Sequence, residues 1–169
     1  VLAHLREMVA ATDLPINADF EAGFAVEPEG VAANVRRAIA TGIAGVSIED
    51  STGDAASPLF DFALSVERIA AAREAVAGSG ALLVARSEGF ISGRPDLEET
   101  VRRLKAFAAA GADCLSAPGI KTREQITAGV KAAAPKPVNF LMASAADLTV
   151  SGLAGLGVRR ISVGGTLAR

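Results

Sequence analysis

The chain has 169 residues, half of them hydrophobic, with 17 basic against 19 acidic side chains and a net charge of −2. That length supports one domain with a sizeable core, and the balanced charge without a basic run offers nothing to nucleic acid or to an anionic membrane. The single cysteine, Cys114, excludes an intrachain disulfide and suits a cytoplasmic, reducing location; no stretch approaches the ~18 uninterrupted apolar residues of a membrane span, and no signal peptide pattern is present.

Leu2, Leu5 and Val9 fall on one helical face, and Asp13-Leu14-Pro15 closes this first helix. The stretch from Pro15 to Gly23 reads as a short apolar strand ending in two acids. Alternation places Asn17, Asp19 and Glu21 on one face and Ile16, Ala18 and Phe20 on the other. A helix over 29–41 turns Val31, Val35 and Ile39 inward and Arg36 and Arg37 outward, and Thr41-Gly42 stops it. The strand over 46–50 ends in Glu49 and Asp50, followed by a polar loop, 51–58, and a helix around 65–77 carrying Val66, Ile69 and Val76. A strand over 82–86 ends in Arg86, with Glu88 close behind. Asp96 caps a helix whose inner face is Leu97, Val101, Leu104 and Ala108. Then come a strand over 114–117, a capping box at Thr122 and Gln125 opening helix 123–133, a strand over 138–142, a helix over 145–153 and a strand over 161–163 before Gly164-Gly165.

Repeated strand–helix units imply a parallel sheet with right-handed crossovers. One turn recurs: a helix end, a glycine, and a serine five residues on, at Gly42/Ser47, Gly111/Ser116 and Gly157/Ser162. Six strands fit either an open doubly wound sheet or part of an eight-stranded barrel, and both place their sites at the carboxyl ends of strands. The open sheet concentrates chemistry at one crevice. Here polar residues end strand after strand (Asp19, Glu49, Arg86, Ser116, Asn139), which suits a ring. The expected fold is therefore α/β, a (β/α)8 TIM barrel present as about six βα units, in a single partial-barrel domain over 1–169.

Asp19, Glu21 and Glu49 are the candidate metal ligands, because carboxylates gathered at strand ends suit a hard, oxygen-seeking cation such as Mg²⁺. The competing reading makes them helix caps or partners of arginines. Arg86 is a candidate to hold a substrate carboxylate or a developing enolate oxygen in its planar fork; it equally serves to neutralise Glu49 or Glu88. Ser116 and Asn139 are candidate pocket-lining hydrogen-bonding groups. Gly164-Gly165 reads as a phosphate cradle or as a tight turn into a final helix. His4 lies on the first helix, far from the strand ends, so no Ser-His-Asp or Cys-His arrangement is assembled.

Asn17-Ala18-Asp19-Phe20-Glu21-Ala22-Gly23-Phe24, Gly45-Val46-Ser47-Ile48-Glu49-Asp50 and Val84-Ala85-Arg86-Ser87-Glu88 resemble the isocitrate lyase / phosphoenolpyruvate mutase superfamily. Gly93-Arg94-Pro95-Asp96 and Ala110-Gly111-Ala112-Asp113 extend the resemblance, in order, over essentially the whole chain. The resemblance implies a (β/α)8 barrel, often with its last helix exchanged between subunits of a dimer or tetramer. It implies an enzyme that binds Mg²⁺, or Mn²⁺, together with a small 2-oxo or 2-hydroxy carboxylate. In that scheme Asp19 is the direct metal ligand, Glu21 and Glu49 act largely through bound water, and Arg86 contacts the substrate's carboxylate or oxo oxygen. The implied reaction is C–C or C–P bond cleavage or rearrangement beside an oxyanion, as in a lyase or phosphonomutase.

Two departures follow. The family's Lys-Lys-Cys-Gly-His gating loop, which supplies the acid/base of isocitrate cleavage, is replaced by Ser51-Thr52-Gly53-Asp54-Ala55-Ala56-Ser57-Pro58. The family's first two strands, with their substrate-gripping Ser-Gly loop, are expected to lie upstream of Val1, so the chain alone is not expected to close a stable barrel. Two other functions remain: a phosphate-binding barrel isomerase using Gly164-Gly165, and a non-catalytic remnant that keeps the fold.

Overall fold

The computed structural model describes residues 1–143 and 148–168. Six strands form one sheet: β1 (Asn17–Asp19), β2 (Gly45–Glu49), β3 (Leu82–Arg86), β4 (Cys114–Ser116), β5 (Val138–Leu141) and β6 (Arg160–Ser162). They lie side by side in chain order, and every pairing is parallel. A doubly wound sheet reverses its strand order at a switch point. This sheet has no reversal, so it is a barrel-like arc. Helices connect the strands: α1 (Leu2–Ala10), α2 (Pro28–Ile39), α3 (Phe62–Val76), α4 (Leu97–Ala109), α5 (Arg123–Ala133) and α6 (Val150–Gly155). Among the described residues no helix is long and apolar enough to cross a membrane.

Alternation decides which half of each strand meets the helices. Val46, Ile48, Leu83, Ala85, Leu115 and Val138 are buried in the core with Val35, Ile69, Phe107 and Ile126 of the helices. Their strand neighbours Ser47, Glu49, Val84, Arg86, Ser116 and Asn139 face the other way. Leu115, fully buried in β4, reports on this layer: Leu115→Ala should lower the free energy of unfolding by about 3 kcal/mol. Denaturant melts showing parental stability would remove Leu115 from the core.

The recurrent glycine–serine spacing has a physical cause. Gly42, Gly111 and Gly157 all adopt left-handed backbone, with φ of 93°, 101° and 97°. Each donates its N–H to a carbonyl of the helix it ends: Ile39, Ala108 and Ala154. A side chain is disfavoured at such angles, and at Gly157 a Cβ would come within 2.7 Å of Val130. The identical turn starts each following strand in the same phase, so Ser47, Ser116 and Ser162 all point away from the helices.

Several boundaries differ from the sequence reading. β1 ends at Asp19 rather than continuing through Glu21, because Glu21 takes a left-handed turn conformation (φ 48°). The helix expected over 65–77 starts at Phe62. Of the helix expected over 145–153, residues 144–147 lie outside the described residues, and α6 runs from Val150 to Gly155 behind its Thr149 cap. The inner face of α4 is also rotated: Thr100, Arg103, Leu104 and Phe107 are buried, while Leu97, Val101 and Ala108 are half-buried. A hydropathy stripe cannot anticipate a buried arginine. The Asp96 cap and the Thr122–Gln125 capping box form as expected. After β6 the chain enters a 3₁₀ stretch, Gly164–Ala168, with Gly164 at the cavity lining.

Candidate active site

The sheet face turned from the helices lines a cavity of about 260 Å³. β1 contributes Asn17 and Asp19, β2 Ser47, β3 Val84 and Arg86, β4 Ser116, β5 Asn139 and Leu141, and β6 Arg160 and Ser162. Period-two alternation therefore delivers all of these side chains to one place, although they span more than 140 positions of sequence.

Arg86 is the hub of the acidic corner. Its Nε donates to Glu88 Oε1 at 2.8 Å, and its Nη1 to both Asp19 oxygens at 2.8 and 2.9 Å. Its Nη2 lies 3.2 Å from Glu49 Oε2. Arg86 therefore neutralises Asp19, Glu49 and Glu88, as its structural reading has it, and it also lines the cavity. Three carboxylates share one guanidinium, which leaves the corner with excess negative charge. Burial, and then the nearby Glu88 charge, push Glu49 up to about 7 against the pull of Arg86. Burial also raises Glu88, with Arg86 opposing. Burial pulls Arg86 down, but the surrounding carboxylates outweigh it and leave it above the ordinary arginine value.

Asp19 differs from its neighbours in access. Its side chain is 68% exposed while Glu49 is 16% and Glu88 3% exposed, so Asp19 presents its carboxylate to the open cavity. Ser47 Oγ donates to Asp19 Oδ1 at 3.4 Å. Glu21 is exposed beyond the strand, and its carbonyl accepts the Glu49 N–H at 3.0 Å. Among the described residues no three carboxylate, imidazole or thiolate groups already converge on one point; Arg86 stands between Asp19 and Glu49. The donor set nevertheless fits a hard divalent cation: every donor is an oxygen, the corner is over-supplied with negative charge, and a cation there would favour the ionised form of Glu49.

Opposite the acids lies a neutral-to-basic wall. Asn139 Nδ2 donates to Ser116 Oγ at 3.3 Å and to Ser162 Oγ at 3.0 Å, and Asn139 Oδ1 accepts from Arg160 Nη1 at 3.1 Å. Ser116 and Asn139 both line the cavity, Ser116 at the end of β4 and Asn139 second in β5 rather than at its end. Arg160 and Ser162 were missed. Ser162 was within reach, since it repeats the spacing that brings Ser47 and Ser116 to the cavity. Glu88, which the sequence reading gives only as an acid for Arg86 to neutralise, is buried and holds the Arg86 Nε at 2.8 Å. His4 is exposed on α1, 3.8 Å from Glu7, and Cys114 is buried. The 51–58 loop closes on itself: Thr52 N–H donates to Pro58 O at 3.0 Å, and Ser51 bridges Leu59.

The whole chain, residues 1–169, matches the phosphoenolpyruvate phosphomutase family. It is 32% identical over 168 residues to an oxaloacetate decarboxylase of Bradyrhizobium sp. (strain BTAi1 / ATCC BAA-1182), covering 94% of this chain and 54% of the relative. It superposes on a candidate lyase/mutase from Burkholderia cenocepacia J2315 with a TM-score of 0.94 at 46% identity, over 99% of this chain and 61% of the other. A phosphonopyruvate hydrolase solved with oxalate and Mg²⁺ gives a TM-score of 0.85 at 29% identity, over 99% of this chain and 59% of the other. The chain therefore spans about half the length of the curated relatives it matches. Fold and sequence agree, and the chain belongs to the phosphoenolpyruvate phosphomutase family.

Proposed function

We propose that this chain carries the metal- and arginine-bearing part of an enzyme active site for a small 2-oxo or 2-hydroxy carboxylic acid, working through an enolate-like intermediate. The observation that carries this reading is Arg86, held by Asp19, Glu49 and Glu88, in the lining of the cavity. Asp19, Glu21 and Glu49 would hold a magnesium ion, which when bound supplies Lewis-acid polarisation of an oxo oxygen. Arg86 offers a positive charge beside the oxygen on which charge develops. Asn139, Ser116 and Ser162 orient the substrate by neutral hydrogen bonds, and Arg160 adds a second positive charge at the far wall. The reaction class is lyase- or phosphonomutase-like cleavage or rearrangement of a C–C or C–P bond. Relatives named as an oxaloacetate decarboxylase and a phosphonopyruvate hydrolase support this class.

The loop over 51–58 offers no thiol, imidazole or amine in place of the usual proton donor of isocitrate cleavage. Positioned acid/base groups contribute ~10²–10⁴-fold to such steps. The test sets oxaloacetate, with Mg²⁺, beside isocitrate and 2-methylisocitrate. Mg²⁺-dependent release of pyruvate from oxaloacetate, with isocitrate and 2-methylisocitrate inert, is the expected result. Inertness toward oxaloacetate together with failure to bind oxalate in the presence of Mg²⁺ would favour a fold-keeping remnant. Rapid glyoxylate release from isocitrate would overturn the loop argument.

A further inference from the structure

Glu49 and Asp50 are adjacent, so alternation sends them to opposite sides of the sheet. Glu49 lies beside Arg86, 3.2 Å from its Nη2, and Asp50, only 2% exposed, is buried among the helices. There it grips the end of β3 at two points. The Asp50 N–H donates to Arg86 O at 3.2 Å, and Asp50 Oδ1 accepts the Glu88 N–H at 2.8 Å. Asp50 is held in turn by Arg103 of α4, whose Nη1 donates to Asp50 Oδ2 at 3.0 Å. Arg103 is itself fixed from several directions: its Nη1 also reaches Ser65 Oγ at 3.0 Å, its Nη2 reaches Phe60 O at 3.1 Å, and its Nε reaches Glu99 Oε1 at 2.8 Å. On the cavity side Glu88 passes the constraint on, since its carboxylate receives Arg86 Nε.

We propose that Asp50 and Arg103, which touch no part of the cavity, are positioning residues for Arg86, acting through the backbone and side chain of Glu88. The inference rests on the reading of Arg86 given under the proposed function. A guanidinium surrounded by three acids has more than one way to pair with them. The direction of the Glu88 carboxylate selects one pairing, and the buried Arg103–Asp50 pair sets that direction from behind the sheet. The Glu88 N–H, Asp50 and Arg103 are joined by direct hydrogen bonds, so they form one unit. The same clamp fixes the far end of the 51–59 loop, because the Phe60 N–H donates to Asp50 O at 2.9 Å.

Asp50→Asn separates the links. An amide offers one acceptor where the two donors of Glu88 and Arg103 meet, so one contact must break while the side-chain volume is kept. Phenylglyoxal labelling of Arg86, read by peptide mass spectrometry, should become about tenfold faster or more in Asp50→Asn, as expected for loss of a charge-assisted contact. Labelling of Arg160 across the cavity should not change. In turnover of oxaloacetate with Mg²⁺, kcat should fall ~10–100-fold, the range for supporting partners of a site, with KM little changed. Combining Asp50→Asn with Glu88→Gln should cost hardly more than the larger single effect, because both cut one chain of contacts. If Asp50→Asn fails to fold, Arg103→Lys takes its place: it keeps the charge but loses the fork, and should show the same pattern more weakly. Unchanged Arg86 labelling, or reductions in kcat that multiply in the double variant, would overturn the relay. A parent enzyme without Mg²⁺-dependent turnover would count against the proposed function instead, and the labelling result alone would then decide the relay.

Discussion

Arg86→Lys should reduce turnover by about 10²–10³-fold, the scale of losing one preorganised donor to a developing oxyanion. Lysine preserves the positive charge among Asp19, Glu49 and Glu88, so the corner does not become a bare cluster of acids. It cannot preserve the geometry. The guanidinium reaches Glu88 through Nε, Asp19 through Nη1 and Glu49 through Nη2, in three directions of one plane, and an ammonium on a flexible stem has no such fork. The loss should appear in kcat, with thermal melting of the variant close to that of the parent. Near-parental turnover would remove Arg86 from the chemistry and leave it a structural counter-ion.

Asp19→Ala should weaken Mg²⁺ binding more than any other single change in the acidic corner. Among its carboxylates Asp19 is open to the cavity, whereas Glu49 and Glu88 are enclosed with Arg86, so a cation entering from solvent meets Asp19 first. Loss of a supporting carboxylate, as in Glu49→Gln or Glu21→Ala, should cost ~10–100-fold in affinity, and Asp19→Ala should exceed that range. Titration calorimetry with Mg²⁺ and then Mn²⁺ on the three variants gives the ranking directly. Parental affinity in Asp19→Ala would defeat the metal-site reading, and a larger loss in Glu49→Gln would move the principal ligand to β2.

Much of this was legible in the chain because it depends on local rules. The alternation of helical and strand periods, the glycine that ends each helix and the Thr122 and Asp96 caps are governed by backbone stereochemistry over a few residues. The same rules placed Asp19, Glu49, Arg86 and Ser116 at strand ends, whereas Asn139, expected to end its strand, is second in β5, which continues to Leu141. Where the reading failed, a local rule met a long-range contact. Continuing the strand through Glu21 assumed an unbroken extended backbone, but the chain turns at that residue. The face assigned to α4 assumed that burial follows hydropathy.

The sequence by itself determined a parallel array of βα units with polar residues gathered on one face, because period and phase are encoded residue by residue. Only the tertiary structure decided which charges meet. Arg86 draws together Asp19, Glu49 and Glu88 from three segments, and Arg103 is buried because Asp50 waits for it 53 positions earlier in the chain. Pairings between distant charges leave no periodic trace, since their energy depends on distance and burial, which exist only once the sheet has formed.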